Sequence, residues 1–141
     1  MWRPTNARLD WLTARPIAHR GLHDKQRGCE ENSLAAFAAA ATHGFAIECD
    51  LQLSADGEAM VFHDETLDRL TDQTGPVIER TAAELQQIAY ASGEGTIPTL
   101  TQLLDLADGD AGLVIELKSH WNGDTRLAAR AAELVSRYDG P

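Results

Sequence analysis

The sequence predicts an α/β protein in which a parallel sheet is covered by helices. Two kinds of segment alternate along the chain. Runs such as FAIECDLQLS and GLVIELKS are short enough for strands and apolar enough to be buried on both faces, as strands of parallel sheets are. Between them lie segments that open on Ser, Thr or Asp and close on Gly, the punctuation of helices. Strands separated by helices are the pattern of a parallel α/β sheet.

The elements follow in order. Leu9 and Trp11 to Leu12 give the amphipathic start of a short docking helix, and ARPIAHRG is the first strand candidate, ended by Gly21. ENSLAAFAAAATHG is a helix with Asn32 or Ser33 as its N-cap and Gly44 as its stop. FAIECDLQLS is the second strand, and Ala55-Asp56-Gly57 turns it into a third, GEAMVFHD. Residues 65–77 are polar and turn-rich, a loop over the end of that strand. TAAELQQIA carries Thr81 and, three residues on, Glu84, the signature of a capping box, and PTLTQLLDLA repeats the logic from Thr99. GLVIELKS is the fourth strand. DTRLAARAAELVSRYDG is an amphipathic helix expected to open on Asp124 and stop at Gly140.

Composition narrows the function. With 141 residues, 43% hydrophobic and 24% charged, the chain has material for one soluble domain with a real core. A net charge of −10 argues against nucleic acid, whose phosphates need clustered Lys and Arg. No run approaches a membrane span, so stable membrane insertion is not expected. MWRPTNARLDWLTARP has no apolar core for a signal peptide, so a cytoplasmic location is expected. Cys29 and Cys49 have neither zinc spacing nor disulfide density and read as free thiols, Cys49 in the core.

Polar residues gather at the ends of the strand candidates: His19 and Arg20 on the first, Glu48 and Asp50 in the second, His63 and Asp64 on the third, Glu116 and Lys118 on the fourth. That edge is where parallel α/β sheets and barrels build active sites. Glu48 and Asp50 lie two residues apart and so share a strand face, where like charges repel and lose hydration. A divalent cation shared with Glu116 resolves the conflict, and an all-oxygen set suits Mg²⁺, Ca²⁺ or Mn²⁺. Arg20 and Lys118 add donors for an adjacent anion, naturally a phosphate. His19 and His63 supply a proton acceptor and a proton donor. Together these groups describe phosphodiester cleavage. His23, His43 and His120 read as structural.

The motifs IAHRG, EEN before a helix, IECD, VFHD, IPTL and IELK occur in the order and approximate spacing seen in the glycerophosphodiester phosphodiesterases. From about Pro16 to Lys118 the chain resembles the N-terminal part of such an enzyme. The resemblance implies a TIM (β/α)₈ barrel and metal-dependent hydrolysis of a glycerophosphodiester, a small-molecule substrate, to glycerol 3-phosphate and an alcohol. It makes His19 and His63 the acid/base pair, Glu48, Asp50 and Glu116 the metal ligands, and Arg20 and Lys118 the phosphate contacts. Glu31 and Asn32 match the family's Glu-Asn pair, Glu31 orienting neighbouring site residues or touching the metal shell and Asn32 in the site or acting only as a cap.

A complete barrel needs eight strands and about 250 residues. Residues 1–141 hold only about the first four β/α units of a single, incomplete domain, expected to be a fragment or a half-barrel that self-associates through its open edge. A related phospholipase-type phosphodiesterase, or a catalytically idle half-barrel that binds metal or phosphodiester, is the competing reading.

Overall fold

The computed structural model describes residues 9–141. Its order is α1 (Trp11–Ala14), β1 (Ile17–Ala18), α2 (Leu34–Thr42), β2 (Ala46–Leu53), β3 (Ala59–Val61), α3 (Ala82–Leu85), α4 (Leu100–Ala107), β4 (Leu113–Leu117) and α5 (Arg126–Val135). Residues 1–8, the first half of the N-terminal stretch that lacks an apolar core, lie outside the described residues.

β2 is the central strand. Ile47 pairs with Ala18 on one side and Leu113 on the other, both parallel, while further along Leu51 faces Leu117 of β4 and Val61 of β3. β1 and β3 therefore share one edge of β2, and β4 takes the other. The expectation of four β/α units needs correction here. Of the four strands, β3 runs antiparallel to β2, so the parallel set is β1, β2 and β4. The reason is loop length. Residues 54–58 are too few for the crossover that a parallel neighbour requires, so they form a hairpin turn. Ser54 closes it, its N–H donating to the Glu58 carbonyl at 3.0 Å and its Oγ accepting from the Glu58 N–H at 2.8 Å. The sheet is open, and among the described residues no strand pairs with the outer edge of β4.

Alternation along β2 sorts its side chains by face. Ile47, Cys49, Leu51 and Leu53 pack with Phe37 and Ala40 of α2, Leu100 and Leu103 of α4 and Leu127 and Leu134 of α5 in one core. Glu48, Asp50 and Gln52 are left for the opposite face. A second cluster, with Met60, Phe62, Leu67, Leu85 and Ile97, lies beneath the segment after β3 and fixes that segment to the sheet. Burial pushes the Cys49 thiol well above its ordinary range, so it acts as a small apolar core group.

Both capping boxes form, Thr81 with Glu84 and Thr99 with Gln102. The N-cap of α2 is Ser33, whose Oγ accepts from the Ala36 N–H at 3.2 Å. α5 ends at Val135 and not at Gly140, and its Thr125 makes no side-chain cap, while Asp124 Oδ1 accepts from the Arg126 N–H at 3.0 Å. α1 docks through Trp11, whose ring lies so close over Gly112 that a Cβ there would meet it at 2.2 Å, whereas Leu9 and Leu12 stay exposed. Among the described residues, no helix is long and apolar enough to cross a membrane.

Candidate active site

The polar face of β2 is the floor of the site. Parallel register sets Glu116 of β4 directly beside Asp50, and carboxylate oxygens of Glu48, Asp50 and Glu116 all lie within 4.8 Å of one another. Their exposure is graded: the Asp50 side chain is 1% exposed, Glu48 13% and Glu116 55%. Asp50 is the anchor. Burial raises its carboxyl, yet the Asn32 and Lys118 contacts outweigh that and hold it below the usual carboxylate range.

Two residues with positive φ shape the wall beside β2. Arg20 (φ 58°) and Asn32 (φ 57°) are both left-handed, and the Asn32 N–H donates to the Arg20 carbonyl at 2.9 Å. Such conformations cost about 1–3 kcal/mol in a bulky residue and concentrate at functional sites. Here the turn points the Arg20 N–H at Glu48 Oε2, 2.9 Å away, and the Asn32 amide at Asp50 Oδ2, also 2.9 Å away. Asn32 thus binds the Asp50 carboxylate, and the cap of α2 falls to Ser33.

Basic groups are spent on these acids. Lys118 Nζ donates to Glu116 Oε1 at 2.6 Å and lies 3.0 Å from Asp50 Oδ1. Burial pulls the ammonium down, but the two carboxylates prevail and hold it above its ordinary value. Arg20 Nη1 donates to Glu31 Oε1 at 2.9 Å, and its Nε lies 3.3 Å from Asp50 Oδ2. The Lys118 approach to Asp50 is an ion pair outside hydrogen-bond geometry, so Asp50 Oδ1 is buried without a hydrogen-bond donor. An ionised, buried oxygen with a free lone pair beside two further carboxylates fits a hard divalent cation.

His19 follows β1 and its Nε2 is 4.0 Å from Glu48 Oε2. His63 reaches the same edge because β3 folds back along β2: the Phe62 N–H donates to the Asp50 carbonyl at 3.0 Å, and Gln52 Nε2 donates to the His63 carbonyl at 2.9 Å. A cavity of about 500 Å³ opens there, its lining including Gln52, His63, Glu116, Lys118 and Trp121. Two residues, Gln52 and Arg69, are not among the candidates read from the sequence, and Asp64, placed there at the end of the third strand, gains its partners only in the fold. Gln52 was visible as the next position on the face of Glu48 and Asp50. Asp64, 2.7 Å from His63 Nδ1, and Arg69, which grips Asp64 and Glu31, have their partners set by the loop fold. His120 lies 3.4 Å from Glu65.

The fold and site together define an open α/β sheet whose edge carries a carboxylate cluster that could hold a cation, flanked by basic groups and histidines. The glycerophosphoryl diester phosphodiesterase family model matches residues 19–137, and the chain belongs to that family. It is 39% identical over 111 residues to a glycerophosphodiester phosphodiesterase of Caldanaerobacter subterraneus, covering 73% of this chain and 44% of that protein. Among solved structures, a phosphodiesterase of Oleispira antarctica in complex with the product sn-glycerol-3-phosphate superposes with TM-score 0.77 at 31% identity, over 90% of this chain and 53% of that one. A glycerophosphodiester phosphodiesterase of Agrobacterium tumefaciens gives 0.73 at 36% identity, over 88% and 53%. The chain spans about half or less of the length of these relatives.

Proposed function

We propose that this chain carries the reacting half of a divalent-cation-dependent hydrolase that cleaves glycerophosphodiesters to glycerol 3-phosphate and an alcohol. The observation that carries the reading is the convergence of Glu48, Asp50 and Glu116 within 4.8 Å beside Arg20 and Lys118, at a cavity that His63 lines. The product held by the Oleispira relative is the product expected here.

In this reading Glu48, Asp50 and Glu116 would hold Mg²⁺, Ca²⁺ or Mn²⁺, whose charge would offset that of the phosphate. Lys118 serves as the carboxylates' internal counter-ion and lines the cavity, where it would also meet the phosphate. Arg20, fixed by Glu31, presents its guanidinium on the same side. His19 and His63 exchange protons with the attacking and departing oxygens. Glu31 aligns Arg20, and Asn32 aligns Asp50.

Release of glycerol 3-phosphate from glycerophosphocholine, with and without a chelator, tests the reading on this chain and on His63→Ala. Turnover abolished by the chelator and cut at least about 100-fold by the substitution is expected. Turnover indifferent to either overturns it, and cation binding without any turnover supports an idle half-barrel.

A further inference from the structure

One charged ladder joins the histidine after β3 to the wall beside the carboxylate cluster. Asp64 Oδ1 lies 2.7 Å from His63 Nδ1. Arg69 forks onto the same carboxylate, Nε donating to Oδ2 at 2.7 Å and Nη2 to Oδ1 at 2.8 Å. Its far side forks onto Glu31, Nη1 to Oε2 at 3.0 Å and Nη2 to Oε1 at 2.7 Å. Glu31 Oε1 accepts from Arg20 Nη1 as well. The fork spends every nitrogen of the guanidinium on these two acids, so Arg69 has little left for a substrate. Its effect must pass through the groups it holds.

What it controls is the His63 ring. A carboxylate bound this way only accepts, so a 2.7 Å contact to Nδ1 places the ring proton on Nδ1. In the neutral ring the lone pair is then on Nε2. The backbone of His63 is held separately by Gln52, which leaves ring orientation to Asp64. Asp64 in turn would face the Glu31 charge without a counter-ion if the guanidinium between them were removed.

We propose that Arg69 is a positioning residue, which locks Asp64 so that His63 carries its proton on Nδ1 and offers Nε2 to the reaction. The inference rests on the proposed participation of His63 in phosphodiester hydrolysis, but its main test does not depend on turnover. Uniformly ¹⁵N-labelled full chain is examined by long-range ¹H–¹⁵N correlation at a pH where the ring is neutral, with His63→Gln assigning the signals. The native chain is expected to show the Nδ1–H pattern for His63. Arg69→Gln should shift it to the Nε2–H form that unconstrained histidine favours, with the backbone amide signals of β2 and β4 unmoved. Retention of Nδ1–H in Arg69→Gln overturns the proposal.

Kinetics give the second reading. Arg69→Ala should lower kcat about 10- to 100-fold with KM nearly unchanged, and millimolar guanidinium should restore part of it. In a His63→Gln background the same substitution should cost little, and an undiminished loss there overturns the proposal. A chain with no turnover at all counts against the hydrolase reading, while the tautomer result still decides the role of Arg69.

Discussion

Asn32 and Asp50 are locked to each other in both directions: the Asn32 amide donates to Asp50 Oδ2 at 2.9 Å, and its carbonyl oxygen accepts from the Asp50 N–H at 3.2 Å. The contact engages Oδ2 and leaves Oδ1, which has no hydrogen-bond donor, for the proposed cation. Asn32→Gly tests the side chain without disturbing the backbone, because glycine tolerates φ 57° at no steric cost. Loss of the buried hydrogen bonds should destabilise the chain by about 1–3 kcal/mol and weaken Mn²⁺ or Mg²⁺ binding by about 10- to 100-fold. Calorimetric titration with the metal reads the second effect. Unchanged affinity would show that Asp50 is held by the strand alone.

Lys118 stands between Asp50 and Glu116 as a covalently attached counter-ion. Replacing it by Met removes the charge and keeps much of the stem. Without added metal, three carboxylates then face one another and stability should drop by roughly 1–3 kcal/mol. A divalent cation binds the folded form preferentially, so the Tm gain on adding it should be larger for Lys118→Met than for the native chain. Turnover should fall in the same variant even when the metal saturates. Thermal melts with and without chelator measure the first effect. An equal Tm gain in both chains would mean that Lys118 does not compensate the cluster.

Why some of this was legible and some was not follows from how far apart the partners lie. The two-residue spacing of Glu48 and Asp50 fixes a shared face through strand geometry alone, and the same rule extends to Gln52. That Glu116 should sit beside Asp50 depends on the register between β2 and β4, which tertiary packing sets. The direction of β3 is invisible in its own side-chain pattern, since period two is common to both pairings. Its only local sign is the shortness of the turn before it. Asn32 and Ser33 are comparable caps by residue type, and the choice falls to Ser33 because Asn32 occupies the left-handed region. Arg69 sits in a polar loop that reads as solvated, with Glu31 38 positions away in sequence.

Acid should loosen this clamp in a defined window. The Arg69 hydrogen bonds, against the opposing effect of burial, bring the Asp64 carboxyl from 3.8 down to about 2, and the same guanidinium lowers Glu31. The folded state therefore binds these protons more weakly than the unfolded chain. The stabilisation is fully present above about pH 4 and is lost as pH falls from there through about 2. For Asp64 it is on the order of 1 to 2 kcal/mol after allowance for solvent screening. Urea midpoints should fall more steeply between pH 4 and 2.5 in the native chain than in Asp64→Asn. Parallel slopes would place the acid sensitivity elsewhere.

Gly21 supplies the last test, because it links the Arg20 turn to the helix layer. Its φ is +79°, and a Cβ there would come within 2.7 Å of the Ala36 Cβ and 2.8 Å of the Ala36 carbonyl carbon. The close approach is used: the Leu22 N–H donates to the Ala36 carbonyl at 2.9 Å, tying the turn after β1 to α2. Gly21→Ala faces both a left-handed backbone and a clash with helix backbone that cannot yield. A loss of about 2 to 4 kcal/mol is expected in chemical denaturation. The displaced turn also carries the Arg20 N–H away from Glu48, so cation affinity should fall with stability. Cys49→Ala is the comparison, since it removes a buried sulfur from the opposite face of β2 without touching the turn. It should lose stability and keep cation affinity. If the two variants weaken the cation equally for equal stability lost, the turn has no specific part in the site.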